Sequence, residues 1–346
     1  MKRIVLCLLL LPLCLSLSPS AWATWGSFKS TGTGTGVGFP SCAQVSSNHV
    51  VCAVRSGKDA IMVNEFNGTA WGTTWTSLAG AVASDPSCTS AGAGKAICAA
   101  TATNGNFQWS IFDGTTWSAP ATVSAALYSA PSCAEYTSSE VLCVARNVSG
   151  GLAWSLYNGT TWKAFASLTT SATSTPNCTT DNNNGVICAV LTTGSATLVN
   201  RFAAGAWKGF LNIAGIAAYT PNCTSLDSAG NAACFVVGVT SIGVFGSRFN
   251  GGAWTAADWT TYSDIGGYVT ANANCTTQSA GELVCGVIGA EDNAFYSNVY
   301  NGSSWSGWGK VGGLGINSPA CAPLGTGQVV CVVLGINNKL TSVVGP

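Results

Sequence analysis

The sequence predicts an all-β protein, a seven-bladed β-propeller of four-stranded antiparallel blades with one disulfide per blade. Three observations predict this fold. Cysteines recur in regularly spaced pairs, most repeats contain an Asn-Gly or Asp-Gly turn, and every repeat has a tryptophan soon after that position. Repeats of about 45 residues that hold four short strands are typical of propeller blades.

The cysteine pairs define the repeat. Six pairs are separated by ten residues and one by eleven, and successive pairs begin 45 or 46 residues apart except for one interval of 52. An even cysteine count in an exported chain predicts disulfides. Zinc is the weaker alternative, because metal knuckles have closer spacing and the chain has a single histidine. The predicted bonds are Cys42–Cys52, Cys88–Cys98, Cys133–Cys143, Cys178–Cys188, Cys223–Cys234, Cys275–Cys285 and Cys321–Cys331.

Each repeat presents four strands in the same order, which we name A to D. In the third repeat the first cysteine is on strand A, the second lies within Val141–Ala145 on strand B, and strand C is Leu152–Tyr157. The pair Asn158-Gly159 then predicts a type I′ turn, because that turn needs positive φ at both central residues. Strand D is expected to open with Trp162.

The two ends of the chain predict how the ring closes. Trp25–Phe28 resembles the start of a strand D, and Leu340–Val343 resembles a strand C. One blade is therefore split, with its outer strand supplied by the N-terminus, and no open sheet edge remains. We expect residues 24–346 to form this single domain.

Residues 1–23 have the features of a secretory signal peptide. Lys2 and Arg3 precede the apolar run Ile4–Leu17, and Ala21-Trp22-Ala23 supplies small residues at a cleavage spacing. The run is shorter than the ~20 residues of a membrane span. We therefore expect a secreted protein, extracellular or periplasmic, that loses Cys7 and Cys14 with the signal.

Composition argues against several function classes. Charged residues make up 8% of the chain, with 13 basic and 13 acidic, so no basic surface for nucleic acid is expected. His49, the one histidine, lies in a predicted turn and leaves no partner for a metal pair or a Ser-His-Asp triad. Asp181–Gly185 reads as a turn rather than a calcium loop, because the distal Glu is missing. We expect no enzyme activity, no cofactor and no metal.

The aromatic residues divide into two groups. One tryptophan recurs in every repeat and is expected to fill the gap between neighbouring blades: Trp25, Trp71, Trp117, Trp162, Trp207, Trp254 and Trp305. A second aromatic a few residues later varies between repeats. In this group we predict Trp75, Trp259 and Trp308 as stacking platforms for a ligand, with packing as the alternative. Arg55 and Glu65 are predicted as the polar rim, with a solvated surface as the alternative.

The last repeat resembles the blade signature of the PLL-type seven-bladed bacterial lectins. The resemblance rests on Asn301–Trp308, Gly312–Gly315 and Ser318-Pro319, and it continues through Val329–Gly335 and Asn337–Leu340. It implies a seven-bladed propeller with sugar pockets at blade interfaces. It also implies fucose-like or methylated sugars as ligands and a tendency to oligomerise.

The function predicted from these observations is carbohydrate binding by a secreted, lectin-like protein. The alternative is a secreted propeller scaffold or adhesin that binds a protein partner without sugar specificity. An enzyme acting on glycans would need facing carboxylates, which nothing in the sequence pairs. Repeated aromatic pockets would favour a lectin, whereas a broad apolar patch on one face of the ring would favour a protein partner.

Overall fold

The seven predicted blades are present in the computed structural model, which describes residues 24–346. The predicted signal peptide, with Cys7 and Cys14, lies outside the described residues. Seven antiparallel sheets surround a central channel, with strand A innermost and strand D outermost in each. The outermost strand of the last blade comes from the N-terminal end of the described chain and pairs with the last strand, as the split repeat predicts.

The strands are numbered in chain order. Strand β1 (Lys29–Thr35) belongs to blade 7. Blade 1 contains β2 (Val37–Ser46), β3 (His49–Arg55), β4 (Ile61–Phe66) and β5 (Thr76–Leu78). Blade 2 contains β6 (Ser87–Ser90), β7 (Ala96–Thr101), β8 (Phe107–Phe112) and β9 (Ala121–Val123). Blade 3 contains β10 (Ser132–Thr137), β11 (Glu140–Arg146), β12 (Gly151–Tyr157) and β13 (Ala166–Ser171).

Blades 4 and 5 have the less regular outer strands. Blade 4 contains β14 (Asn177–Thr180), β15 (Gly185–Leu191), β16 (Ala196–Ala203), β17 (Ala206–Trp207) and β18 (Leu211–Ile216), the last two both pairing with β16; blade 5 contains β19 (Asn222–Ser225), β20 (Ala232–Val237), β21 (Val244–Phe249) and β22 (Ser263–Asp264). A 3-10 helix (Ala256–Asp258) precedes β22. No helix among the described residues is long and apolar enough to span a membrane.

The ring is completed by blades 6 and 7. Blade 6 contains β23 (Asn274–Ser279), β24 (Glu282–Ile288), β25 (Phe295–Tyr300) and β26 (Gly309–Gly312). Blade 7 contains β27 (Ala320–Pro323), β28 (Val329–Leu334) and β29 (Lys339–Gly345), and β1 pairs with β29 as its outermost strand.

All seven predicted disulfides are formed, one in each blade. The two cysteines of every pair are direct partners on strands A and B, as Cys133 and Cys143 show in blade 3. This register brings their Cα atoms to 3.9–4.1 Å of each other in all seven blades. The cysteine spacing therefore predicted both the pairing and the strand register.

The turns between strands C and D differ from the prediction. At Asn158-Gly159 only the glycine has positive φ, so the turn is not type I′. Instead, the Asn158 side-chain oxygen accepts hydrogen bonds from the backbone N–H groups of Thr160 and Thr161. Asn67, Asp113 and Asn301 do the same in their blades. These bonds hold the pKa of Asp113 at about 2.

The one strand C–strand D turn with two consecutive positive-φ residues is in blade 4, where the Asn-Gly pair is absent. Ala204 has a φ of 53° and Gly205 a φ of 75°, and the flanking residues Ala203 and Ala206 pair directly. A two-residue loop with this geometry matches the type I′ class. In blades 1, 2, 3 and 6 side-chain capping of a longer turn replaces it.

In blade 4 the repeated tryptophan lies in the first outer strand, β17, as predicted, but in blades 1, 2, 3 and 6 it precedes strand D, contrary to the prediction. Trp71 forms a bridge with Phe66 at the end of strand C, and strand β5 begins only at Thr76. In blade 5 this bridging place is taken by Trp259, which pairs with Phe249, rather than by Trp254. The longer blade 5 hairpin, which includes the 3-10 helix, displaces Trp254 from the repeat position.

A ring of hydrogen bonds links the innermost strands of successive blades. The residue before the first cysteine of a blade accepts a bond from the backbone N–H of the first cysteine of the next blade, for example Ser132 Oγ from Cys178 at 2.8 Å. The acceptors are Ser41, Ser87, Ser132, Asn177, Asn222 and Asn274. These bonds satisfy edge N–H groups that strand A cannot pair within its own sheet.

The seventh place in this ring holds Ala320, whose methyl group cannot accept a hydrogen bond. We expect Ala320→Ser to raise the free energy of unfolding by about 1 kcal/mol, since a new bond would join blades 7 and 1. Ser132→Ala should lower it by about 1–2 kcal/mol, because the Cys178 N–H would lose its acceptor. Urea unfolding of both variants tests this, and a neutral Ser132→Ala would contradict the structural role of the ring.

The two faces of the propeller carry different segments. The hairpin face carries the turns between strands A and B and between strands C and D. The connection face carries the turns between strands B and C and the connections from each blade to the next. The connection face comprises residues 36, 56–60, 79–86, 102–106, 124–131, 147–150, 172–176, 192–195, 217–221, 238–243, 265–273, 289–294, 313–319 and 335–338, with the strand ends that adjoin them.

Candidate functional site

The repeated tryptophans fill the gaps between neighbouring blades. Trp162 packs on Trp109 of the preceding blade with ring centroids 6.0 Å apart, and Trp207 packs on Trp154 at 5.9 Å. Trp71 instead donates its indole N–H to Ser342 of blade 7 at 2.8 Å. The predicted packing role is confirmed at these interfaces.

The partner of each tryptophan is set by one residue on strand C of the preceding blade. This residue, which we call the interface position, lies opposite the residue that follows the second cysteine. In blades 1 to 7 it is Val63, Trp109, Trp154, Val199, Gly246, Ser297 and Ser342. Trp109 and Trp154 at the interface position close the gap, whereas Ser342 leaves space at the outer edge of the ring.

The largest outer pocket lies between blades 7 and 1, where the interface position is Ser342. It has a volume of about 850 Å³ and is lined by Trp71 with several hydroxyl groups and one cation. The polar lining includes Lys29, Ser30, Thr33, Thr69, Thr73 and Ser342. Gly32 of blade 7 allows the backbone of blade 1 to approach closely at this pocket, because a Cβ on Gly32 would lie 2.6 Å from the Gly72 carbonyl oxygen. The site is an aromatic wall beside neutral hydroxyls.

A second pocket of about 490 Å³ lies between blades 1 and 2 and contains the predicted residue Glu65. The Glu65 carboxylate is 3.2 Å from His49 Nε2, and the pocket is completed by Asn64, Trp117 and Pro120. The buried Trp117 indole nitrogen has no hydrogen-bond partner among the described residues. The Glu65 carboxylate and the Trp117 side chain therefore line the same cleft.

A cleft between blades 5 and 6 is nearly closed, with a volume of about 30 Å³. The Arg248 guanidinium lies over the Tyr300 ring, 5.1 Å from its centroid, and hydrogen-bonds the Tyr300 hydroxyl. The arginine fills space that Gly246 leaves beside Trp305.

Trp308 lines a separate pocket of about 190 Å³ on the connection face, with Tyr268, Tyr296 and Asp292. Its indole N–H donates to the Ile265 carbonyl at 2.9 Å. Lys310 lies 2.7 Å from Asp292, and this contact, with the Ala294 N–H, lowers the pKa of Asp292 to about 2. The same carboxylate raises the pKa of Tyr296 by accepting its hydroxyl hydrogen bond.

The other two predicted platforms are buried. Trp75 is 3% exposed and donates its indole N–H to Thr31 Oγ1 at 3.1 Å. Trp259 is 7% exposed and packs against Phe249 and Trp254. Sugar stacking on these rings stays a prediction, and it would require them to leave their present packing.

Arg55 and Glu65 lie at opposite ends of blade 1. Glu65 faces the C–D end of the blade, whereas Arg55 ends β3 on the connection face. The Arg55 guanidinium contacts Asp59 at 3.0 Å and Asp85 at 3.6 Å. Burial raises the pKa of Asp85 against the opposing effects of the Phe39 backbone and Arg55. The structure thus separates the two predicted rim residues into different environments.

The central channel is a further polar cavity of about 790 Å³, lined by strand A from all seven blades. Many of its side-chain oxygens, such as those of Ser132 and Asn222, already accept the interblade bonds of the ring. No cluster of three or more His, Cys, Asp or Glu side chains within residues 24–346 is placed to hold a metal ion.

The sequence reasoning assigned Trp71 to packing and did not identify Ser342 as a site residue. Ser342 is a single serine in the apolar C-terminal strand, so composition gives it no prominence. A usable signal was the residue opposite the one that follows each second cysteine. Aligned this way, Ser342 takes the place of Trp109 and Trp154 at the interface that holds the 850 Å³ pocket.

Solved structures with a similar fold include lectins. The chain aligns with the BP39L lectin from Burkholderia pseudomallei with a TM-score of 0.75 and 14% identity, over 90% of this chain and 97% of that one. It also aligns with the Aleuria aurantia lectin, whose structure is described as a six-bladed β-propeller with a novel fucose recognition mode. There the TM-score is 0.55 at 13% identity, over 82% of this chain and 99% of that one.

A third lectin, SapL1 in complex with α-methyl fucoside, aligns with a TM-score of 0.55 at 10% identity, over 80% of this chain and 95% of that one. No protein-family model and no curated protein sequence matches the chain. What the chain has in common with these lectins is the β-propeller fold, built here from seven disulfide-bonded blades.

Proposed function

We propose that the protein is a secreted carbohydrate-binding protein whose main sugar site is the pocket between blades 7 and 1. The observation that carries this proposal is the Trp71 wall beside the hydroxyls of Ser30, Thr33 and Ser342. Pockets that combine an aromatic surface with a few convergent polar groups are typical ligand sites. The pocket with Glu65 and Trp117 is the proposed second site.

The chemistry of the first pocket favours a neutral sugar. Lys29 is the one charged residue in its lining, so a charged substrate group would have a single counter-ion. Hydroxyl side chains both donate and accept, which matches the mixed hydrogen bonding of sugar hydroxyls. The C–H groups of a pyranose can pack on the indole of Trp71 in the same pose.

The proposed ligand class is fucose-like or methylated sugars. A C-methyl or O-methyl group adds apolar surface, which would pack against Trp71 and Phe66 in the pocket lining. The solved lectins of similar fold support this class, since one is described in complex with α-methyl fucoside and another with Fucα1-6GlcNAc. Secretion is supported by seven disulfides, which persist in oxidising compartments.

The test is a glycan array with the oxidised chain beginning at residue 24, followed by calorimetric titration with α-methyl fucoside and any further hit. We expect Trp71→Ala to weaken binding at least about tenfold, the effect of losing roughly 1.4 kcal/mol at an aromatic contact. The matched control is Trp207→Ala, which removes the same repeated tryptophan at the closed interface between blades 3 and 4.

Two results would contradict the proposal. A natively folded chain with no saturable binding on the array would remove the sugar function itself. Equal loss of affinity in the Trp71→Ala and Trp207→Ala variants would show that the effect is on stability and would remove the assignment to this pocket. Near-ultraviolet circular dichroism establishes that each variant retains its tertiary packing.

A further inference from the structure

The connection face carries every large hydrophobic side chain that residues 24–346 expose. These are Phe39, Tyr128, Val148, Ile216, Val239, Tyr268, Leu314, Ile316 and Ile336. Their exposed fractions range from 42% to 70%. Single exposed apolar residues are normal when scattered over a protein. Their restriction to one of two faces, while the hairpin face of the described chain has none, indicates a surface that is covered in the working protein.

The area is sufficient for a stable protein interface. The nine residues, with their backbone atoms, together expose on the order of 1,000 Å², compared with the roughly 800 Å² per partner that a standard interface buries. They are distributed around the ring, on the segments that enter or belong to blades 1, 3, 4, 5, 6 and 7. A partner that covers them must therefore have a broad surface, comparable in width to the propeller itself.

The charges of the connection face balance. Five cations and five anions lie there: Arg55, Lys58, Arg146, Lys310 and Lys339, with Asp59, Asp85, Asp264, Glu291 and Asp292. Several are already paired within the face, as Arg55 is with Asp59 at 3.0 Å and Lys310 with Asp292 at 2.7 Å. An anionic lipid surface would favour an excess of Lys and Arg. The connection face of a second copy is also neutral, so two such faces would meet without net electrostatic repulsion.

We propose that the connection face is the interface of a back-to-back homodimer, in which the same surface of two copies meets across a two-fold axis. Such isologous pairing is the commonest way for a soluble protein to bury a self-compatible face. It leaves both hairpin faces exposed on opposite sides of the dimer. The pockets beside Trp71 and Trp117 lie at hairpins of that face and stay accessible. The pocket beside Trp308 and Tyr268 is enclosed instead.

Sedimentation velocity of the oxidised chain across a range of concentrations tests the dimer. We expect the chain to sediment at twice its monomer mass at micromolar concentration. The double variant Ile216→Glu/Ile336→Glu should raise the dimer dissociation constant at least 100-fold, since it would bury four carboxylates per dimer. Both positions are exposed in the monomer, so its thermal unfolding should be unchanged.

The matched control places two carboxylates on the hairpin face, as Thr161→Glu/Ser304→Glu, and should remain dimeric. A chain that is monomeric at all concentrations overturns the proposal. So does a dimer that survives the connection-face variant but not the control. A monomer that co-sediments with neutral phosphatidylcholine vesicles would assign the face to lipid and also overturn it. Sugar titration is measured separately, so this result and the proposed function stand or fall independently.

Discussion

Reduction of all seven disulfides is expected to leave the chain unfolded at 25 °C. Each bridge closes a loop of about ten residues, which on the chain-entropy model stabilises the fold by about 2–3 kcal/mol. Seven such contributions equal or exceed most of the roughly 5–15 kcal/mol range by which a typical domain is stable. The bridges join strands A and B, the two innermost strands of each blade, so the loss of the bridges weakens every blade at the same place.

The measurement is refolding from denaturant with and without reductant, followed by tryptophan fluorescence and near-ultraviolet circular dichroism. The control is the paired replacement Cys133→Ala/Cys143→Ala, which should lower the free energy of unfolding by about 2–3 kcal/mol and leave a folded protein. A fully reduced chain that regains native circular dichroism and unfolds cooperatively would show that strand pairing alone sustains the ring.

Asp181→Ala is expected to lower the free energy of unfolding by about 3–5 kcal/mol, because it leaves a mostly buried cation without its partner. Asp181 is 0% exposed, and its Oδ2 lies 2.6 Å from Nη2 and 2.8 Å from Nε of Arg201. The guanidinium also lies 5.8 Å from the ring centroid of Phe249 in blade 5. The pair therefore connects the A–B turn of blade 4 to its strand C and to the neighbouring blade.

The matched control for this variant is Asp227→Ala, a carboxylate in the A–B turn of the next blade. Asp227 accepts bonds from Asn231 and the Ala229 N–H within its own turn and forms no salt bridge with another residue of 24–346, so about 1 kcal/mol of loss is expected. Replacing both members of the buried pair, as Asp181→Ala/Arg201→Met, should recover part of the stability. Urea unfolding that ranks Asp227→Ala as the more damaging change would refute this account.

Local sequence signals predicted the architecture because the forces behind them are local. Cys133 and Cys143 are close along the chain and flank one turn, so their spacing implies both a hairpin and its register. The Asn158-Gly159 pair predicted the position of a turn correctly but not its type. The Asn158 side chain caps a longer loop, and the Asn158 backbone does not have positive φ. The cysteine signal then recurred in all seven repeats.

The blade count, the disulfides and the closure of the ring by the N-terminal strand were thus determined by the sequence alone. Only the tertiary structure decided which interfaces are open, because Trp109 or Ser342 acts on a tryptophan of another blade. It also decided that Asp181 meets Arg201, and that residues as distant in the chain as Phe39 and Ile336 share one face. These relations depend on contacts between segments far apart in sequence, which no local pattern records.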